Sequence, residues 1–600
     1  MTRCIPSTCA RRLLATLVLA ASAAIVPGPS GAQSPGAETP GRPRIGLALS
    51  GGGARGAAHI GVLKVLEKLR VPVHCVAGTS MGSVVGGAFA AGTTPAEMEA
   101  IITKTDWNVV FVDRPPRGEI SIRRKQDDYK PLFAPELGFR GGSILLPKGV
   151  VAGVTIESFL RYLTEQARDI QDFSKLPVPY RAVAADIATG EAVIIDRGSL
   201  AQAMRASMAI PGAVDPVERD GRLLVDGGIA NNLPIDVVRK LCGDVIIAVN
   251  IGTPPLKRDE ITSALSIVNQ LVNLLGKDSV DRQLATLTPA RDVLISPDLG
   301  DISASSFERQ DEAIRIGEAA AREMTDALKR YSIPEAEYAA LRKTQVVARG
   351  SLGTVEQIRF EGIERTNAEV LAALVQSKPG EELTEEKLAA DLRRIYGRGD
   401  FDGVDYRIDR VGPTPALVFS VREKSVGPSY LRFGLGLASD FQGENYFNAL
   451  VQYRRTWINR LGGEFVAEAQ VGQNTYLFSE FYQPIEARAR LFVAPYGRIG
   501  EYTRGVFVGD DRVAEYQVRE ALGGLDLGTT LGTWGELRLG PVWRRFDADV
   551  DTGSPILPDV RVNASGTRAR LVADRLDTPF FARSGHRLMA NAFAGMSALG

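Results

Sequence analysis

The run IGLALSGGGARGAAHIGVLKVLEKLRVPVHCVAGTSMG, Ile45 to Gly82, decides the fold of the first half of this chain. Ile45 to Leu49 is an uninterrupted apolar segment of the kind that strands buried on both faces show. Apolar residues then recur at helical spacing from Ala57 to Leu69, Val73 to Ala77 returns to a strand, and Gly82 to Ala91 is helical again. The alternation continues through strands Tyr180 to Ala185, Ala192 to Ile195 and Val245 to Asn250. It predicts an α/β sheet covered on both faces, running to about Tyr331.

Six hundred residues exceed what one core holds, since single cores stop growing at about 250 to 300 residues. Several domains are therefore expected. Lys plus Arg and Asp plus Glu both number 71, so no net field argues for nucleic acid as a partner. Arg3, Arg11 and Arg12, an apolar run from Leu13 to Ile25 and the small residues Ser30-Gly31-Ala32 read as a secretory signal peptide over 1–32. About 13 apolar residues fall short of the roughly 20 that span a bilayer. A Gly/Pro/Ser-rich linker, 33–43, follows. Cys75 and Cys242 each lie beside an apolar strand, and two inert core thiols are expected.

Downstream of the α/β domain, 44–335, and a linker, 336–352, the texture changes at 353–424 to a strand, two helices and two strands, with Thr384 as an N-cap. Beyond Ser425 helical periodicity gives way to two-residue alternation, as in Tyr446 to Tyr453 and Glu536 to Leu539. One apolar and one polar face without covering helices predicts a C-terminal transmembrane antiparallel β-barrel over 425–600, with a soluble sandwich as the rival. Phe447, Ala449, Val451 and Tyr453 would face one way, Asn448, Gln452 and Arg454 the other. Ala598-Leu599-Gly600 lacks a terminal aromatic residue, which suggests further strands. The fold class expected is thus multidomain: an α/β domain, a small α+β domain and a barrel.

Gly78-Thr79-Ser80-Met81-Gly82 follows a strand and opens a helix, the setting of a nucleophile elbow. Ser80 is the candidate nucleophile, with Gly78 and Gly82 the small neighbours that a sharp turn tolerates. A histidine base is hard to find: the three histidines are His59, His74 and His586, and none follows the elbow within the α/β domain. Asp226, at the end of an apolar strand and followed by Gly227 and Gly228, can act as base if held against the serine. An ordinary Asp-Gly turn is the alternative. Gly51-Gly52-Gly53-Ala54-Arg55-Gly56 lets amides converge at a helix N-terminus and suits an oxyanion hole. The same glycines fit a dinucleotide fingerprint, but the second strand then lacks the acidic residue that fingerprint wants. No His, Cys or carboxylate cluster has metal-ligand spacing, so neither metal nor other cofactor is expected.

The blocks GLALSGGGARGAAHIGVLKVLE, GTSMG, AMRASMAIPGAVDPV and LVDGGIANNLP, in this order, resemble those of patatin-like phospholipases. That resemblance implies lipid acyl hydrolysis by a Ser80–Asp226 dyad, an oxyanion hole at Gly51, Gly52 and Gly53, and motif positions at Arg55, Gly56, Gly78, Gly82, Gly227 and Gly228. RFEGIERTNAEVL and IYGRGDFDGVDYRI resemble a POTRA domain, and DRLDTPFFARSGHRL resembles a hairpin of Omp85-type barrels. Together they resemble the fused patatin autotransporters of type V secretion. The implied location is the outer membrane, with the esterase displayed at the cell surface or secreted. The implied partners are a lipid or phospholipid substrate and the barrel-assembly machinery. The alternative is an outer-membrane transport or assembly protein with an inert esterase-like domain. Asp113 to Gly153, with Arg123-Arg124-Lys125, reads as a solvated loop or a lid meeting anionic head groups. Leu265, Val268, Leu271, Val272 and Leu275 read as a core helix, with homodimer or lipid contact as the alternatives.

Overall fold

The computed structural model describes residues 42–596 except 135, 253–254, 349, 411–413, 440–444, 510 and 554–555. The leader at 1–32, nearly all of the linker 33–43 and the last four residues lie outside the described residues.

The first domain is built on β1 (Ile45–Leu49), α1 (Ala58–Lys68), β2 (Cys75–Thr79) and α2 (Met81–Ala90). β1 is an interior strand of an eight-stranded sheet, apolar on both faces and fully buried. It pairs in parallel with β2 on one side and with the strand Val245–Val249 on the other. β2 pairs with β3 (Tyr180–Asp186), also in parallel, and β3 pairs antiparallel with β4 (Arg222–Asp226). The sheet therefore brings the C-terminal ends of β1, β2 and β4 together. Gly61 of α1 lies so close to the helix Gln310–Glu323 that an added Cβ would meet the Ile314 carbonyl oxygen at 2.0 Å, which lets these two covering helices pack tightly.

Three expectations need correction here. Cys75 and Cys242 are joined in a disulfide with Cα atoms 6.1 Å apart, across a sequence separation of 167. Sequence distance hid a pairing between the start of β2 and the end of the helix Ile235–Leu241. The stretch 336–352, read as a linker, carries the helix Glu335–Gln345. Its Gln345 side chain is buried and donates to the Val73 carbonyl at 2.9 Å, so this helix packs on the first domain. Of the row read as a core helix, which falls in Ala264–Leu284, Leu271 and Leu275 are exposed instead of buried, while the side chains of Leu265, Val268 and Val272 lie outside the described residues.

The small domain has strands Gln357–Glu361, Phe401–Asp409 and Ala416–Glu423, with helices Ala368–Ala372 and Glu385–Tyr396 on one side. Thr384 caps the second helix by accepting from the Lys387 amide at 3.3 Å. Beyond it, antiparallel strands from Ser429–Ser439 to Arg587–Gly595 form one continuous open sheet. Asn445–Arg455 and Asn474–Pro484 have 11 residues each, the length of a tilted membrane-crossing strand. Phe447, Val451, Leu477, Ile499, Leu527 and Leu539 are exposed on one face, while Gln452, Arg454, Glu468, Asp526 and Glu536 are buried on the other. A soluble sandwich buries its apolar rows, so this inverted arrangement is that of a membrane barrel. No helix of the described residues is long and apolar enough to cross a membrane.

The segment 113–153 overturns both readings made of it. Its hairpin Leu137–Arg140 and Ser143–Leu145 extends the barrel sheet, pairing with Ser429–Ser439 at Tyr430 and Leu431. Its helix α3 (Ile122–Asp127) lies on the polar face of that sheet.

Candidate active site

Ser80 stands between β2 and α2 with φ 53° and ψ −125°, a left-handed conformation that costs a non-glycine residue about 1 to 3 kcal/mol. Surrounding bonds hold it there. Its amide donates to Ser207 Oγ at 2.9 Å, and Ser207 Oγ in turn donates to the Val183 carbonyl of β3 at 2.6 Å. The turn is tight enough that a Cβ on Gly78 would lie 2.2 Å from the Gly82 carbonyl oxygen, and one on Gly82 would lie 2.4 Å from that of Leu49. Both glycines are thus required by close backbone approach.

The elbow presents Ser80 Oγ to Asp226 at the end of β4, and Oγ donates to Asp226 Oδ2 at 2.6 Å. The second carboxylate oxygen accepts from the Gly228 amide at 2.8 Å, which fixes the plane of the group. Gly227 packs against β3, where a Cβ would meet the Val183 carbonyl oxygen at 2.2 Å. Burial raises the Asp226 carboxyl to about 6, a rise opposed by the hydrogen bonds from Ser80 and Gly228. The serine and the aspartate are 8% and 4% exposed, so the pair is screened from bulk water yet reachable.

The histidines do other things. His59 is fully buried in α1, its Nε2 lies 2.8 Å from the Ser50 carbonyl oxygen, and burial lowers its imidazole to about 4. His74 Nδ1 accepts from the Ile45 amide at 2.9 Å, and His586 belongs to the barrel segment.

The glycine loop lies beside the serine. A Cβ on Gly51 would come 2.9 Å from Ser80 Cβ, while one on Gly53, at φ +59°, would come 2.2 Å from the Ala304 carbonyl oxygen. The Gly51 amide already donates to Asn232, whose backbone and side-chain oxygens both lie at 3.2 Å. Gly56 accommodates Met81, since a Cβ there would lie 2.1 Å from Met81 Cγ. Arg55 is buried, and among the described residues its guanidinium pairs with backbone carbonyls and not with a carboxylate. It donates to the Ile302 carbonyl at 2.6 Å and to that of Ile251 at 3.0 Å from Nη2, pinning the loop.

Two positioning residues were not singled out in the sequence, Ser207 and Asn232. Each lies inside a quoted block, AMRASMAIPGAVDPV and LVDGGIANNLP. Their polarity within otherwise apolar or glycine-rich blocks was the available signal. Among the described residues no group of three His, Cys, Asp or Glu is arranged to hold a metal.

Comparison with known proteins matches residues 47–239 to patatin-like phospholipase and residues 353–424 to POTRA, the surface antigen variable number repeat. An uncharacterized NTE family protein of Mycobacterium tuberculosis is 37% identical over 210 residues, 35% of this chain and 49% of that protein. Mouse patatin-like phospholipase domain-containing protein 6 is 35% identical over 211 residues, 35% of this chain and 14% of that protein. This chain therefore spans about half or less of the length of these relatives. Among solved structures, BamA from Haemophilus ducreyi gives a TM-score of 0.32 at 14% identity, covering 42% of this chain and 50% of that one. VipD from Legionella pneumophila gives 0.29 at 16% identity, covering 48% and 67%. With the two family matches flanking the linking helix, and the outward apolar rows of the C-terminal strands, this chain has a patatin-like phospholipase domain, a POTRA domain and a barrel-type antiparallel sheet in that order.

Proposed function

We propose that this chain is a serine acyl hydrolase, a phospholipase A or lipid esterase, that works through a Ser80–Asp226 dyad and is carried at the outer membrane by its own barrel. The observation that carries the reading is the 2.6 Å bond from Ser80 Oγ to Asp226 Oδ2, formed by a strained serine that the surrounding bonds hold in place. Asp226 takes the hydroxyl proton as Oγ attacks the ester carbonyl carbon, and the tetrahedral oxyanion forms beside the glycine loop. With the Gly51 amide committed to Asn232, the amides of Gly52 and Gly53 are the ones assigned to that oxyanion. Asp226 returns the proton to the leaving alcohol; it then takes a proton from the water that attacks the acyl-serine and passes it to Ser80 Oγ as the fatty acid leaves.

The rival is a transport or assembly protein with an inert domain. A pair held at hydrogen-bond distance in a strained elbow argues against it, because the strain brings no stability of its own. The disulfide fits an oxidizing compartment beyond the cytoplasm, and the POTRA match and apolar outer rows fit the outer membrane. Hydrolysis of a chromogenic acyl ester by the full-length chain, abolished in Ser80→Ala, tests the reading directly.

The pH dependence follows from Asp226. The base must be ionized, and its carboxyl is pushed up to about 6 by burial. The rate is expected to be flat above about pH 7 and to fall about tenfold per unit below pH 6. A profile unchanged down to pH 4 would show that a different group takes the proton. Full activity is also expected in excess chelator, and a loss restored by calcium or zinc would contradict the dyad mechanism.

A further inference from the structure

The segment 113–153 leaves the esterase domain between helices Trp107–Val112 and Val154–Leu163 and enters the polar side of the barrel sheet. There the segment, α3 included, meets carboxylates from four strands. Arg123 donates to Glu480 Oε1 and to Glu464 Oε1, each at 2.9 Å, and its guanidinium lies 4.0 Å from the center of the Tyr482 ring. Arg124 donates to Glu464 Oε2 at 2.9 Å, and Gln126 Nε2 to Glu536 Oε1 at 3.0 Å. Arg117 and Tyr129 reach Asp574 Oδ2 at 2.6 and 2.9 Å, while Lys125 donates to the Asp574 carbonyl at 3.2 Å. Lys130 pairs with Glu468, and Asp127 pairs in the opposite sense with Arg454.

These are buried charges, and a buried carboxylate stripped of its partner costs several kcal/mol. The inner face of the sheet and the inserted segment are complementary in charge, so each supplies what the other would otherwise take from water. The same segment also touches the POTRA domain. Arg394 donates to Glu119 at 3.0 Å, and Tyr396 OH to Asp113 at 3.2 Å.

We propose that residues 113–153 are a fixed plug, which closes the barrel lumen and tethers the esterase domain to the end of the barrel where the POTRA domain packs. The proposal rests on the membrane-barrel reading and replaces the expectation of surface display or release: a domain whose insertion fills the lumen does not pass through it.

The test uses the full-length chain reconstituted in phosphatidylethanolamine and phosphatidylglycerol vesicles. Its own described cysteines are held in a disulfide. Lys125→Cys, at a position 1% exposed, is compared with Lys175→Cys, whose side chain is 78% exposed on the esterase domain, for reaction with a bulky maleimide-polyethylene glycol. Lys125→Cys is expected to react at least about a hundredfold more slowly in the folded protein and at the same rate in urea. Arg123→Glu combined with Arg124→Glu is expected to raise both that labeling and the ion conductance in planar bilayers, leaving ester hydrolysis unchanged. Should the double variant fail to assemble, the labeling of Lys125→Cys in the otherwise unaltered chain decides alone. Equal labeling of the two cysteines in a barrel that keeps its heat-modifiable gel mobility overturns the plug alone. Absence of that mobility overturns the membrane-barrel reading and the plug with it.

Discussion

Ser80→Ala and Asp226→Asn are each expected to lower ester hydrolysis by at least about a thousandfold, equivalent to about 4 kcal/mol of transition-state stabilization. Ser80→Ala removes the attacking oxygen. Asp226→Asn keeps the shape of the side chain but replaces one acceptor by an amide donor, where one oxygen now takes the Ser80 hydroxyl and the other the Gly228 amide. It removes the proton acceptor: with Oδ1 kept on the Gly228 amide, Nδ2 faces the Ser80 hydroxyl and can only donate to it. The double variant should be no slower than either single one, because the two groups act as a unit. Steady-state kinetics on a chromogenic ester, with thermal unfolding as the control for fold, measures this. Near wild-type turnover in Asp226→Asn would place the base elsewhere. His59 is a poor substitute, since its Nε2 is occupied by the Ser50 carbonyl.

The second large effect concerns assembly. Val451 lies near the middle of the strand Asn445–Arg455 on the exposed apolar row, opposite Phe433 and Ala469 of the neighboring strands. Val451→Arg places a charge in hydrocarbon at a cost of about 2 to 4 kcal/mol. It should strongly reduce the heat-modifiable, membrane-retained fraction, whereas Val451→Leu should assemble as wild type. Gln452→Arg is no neutral control, although the sequence makes it look like one. Gln452 is 1% exposed and donates to Glu468 at 2.8 Å in a packed interior. A Val451→Arg chain that reaches the outer membrane in full yield would argue that this row does not face lipid.

Local order carried most of what was legible in the sequence. The elbow, β1, β2 and the glycine loop are contiguous, and strand-to-helix alternation is written in neighboring residues. Asp226 was reachable because a strand followed by two glycines is also local. What stayed hidden depends on distant partners. The sequence shows Arg123 as one cation among 71, and nothing near it announces Glu464 or Glu480 more than 300 positions away. The disulfide escaped for the same reason, and Leu271 and Leu275 look like part of a core face whether or not anything covers them. The commitment of the Gly51 amide to Asn232 could not be read at all, since amide geometry leaves no trace in residue type.

Cys75 precedes Ser80, and Cys242 follows Asp226, so the disulfide encloses both members of the dyad and the whole inserted segment. A protease that cuts the exposed turn at Gly141-Gly142 would separate the serine-bearing half of the first domain from the aspartate-bearing half. The bridge would keep the two pieces covalently joined. Such a nicked protein would migrate as one band without reductant and as two with it, and a chain that had lost its continuity could still bring Ser80 against Asp226.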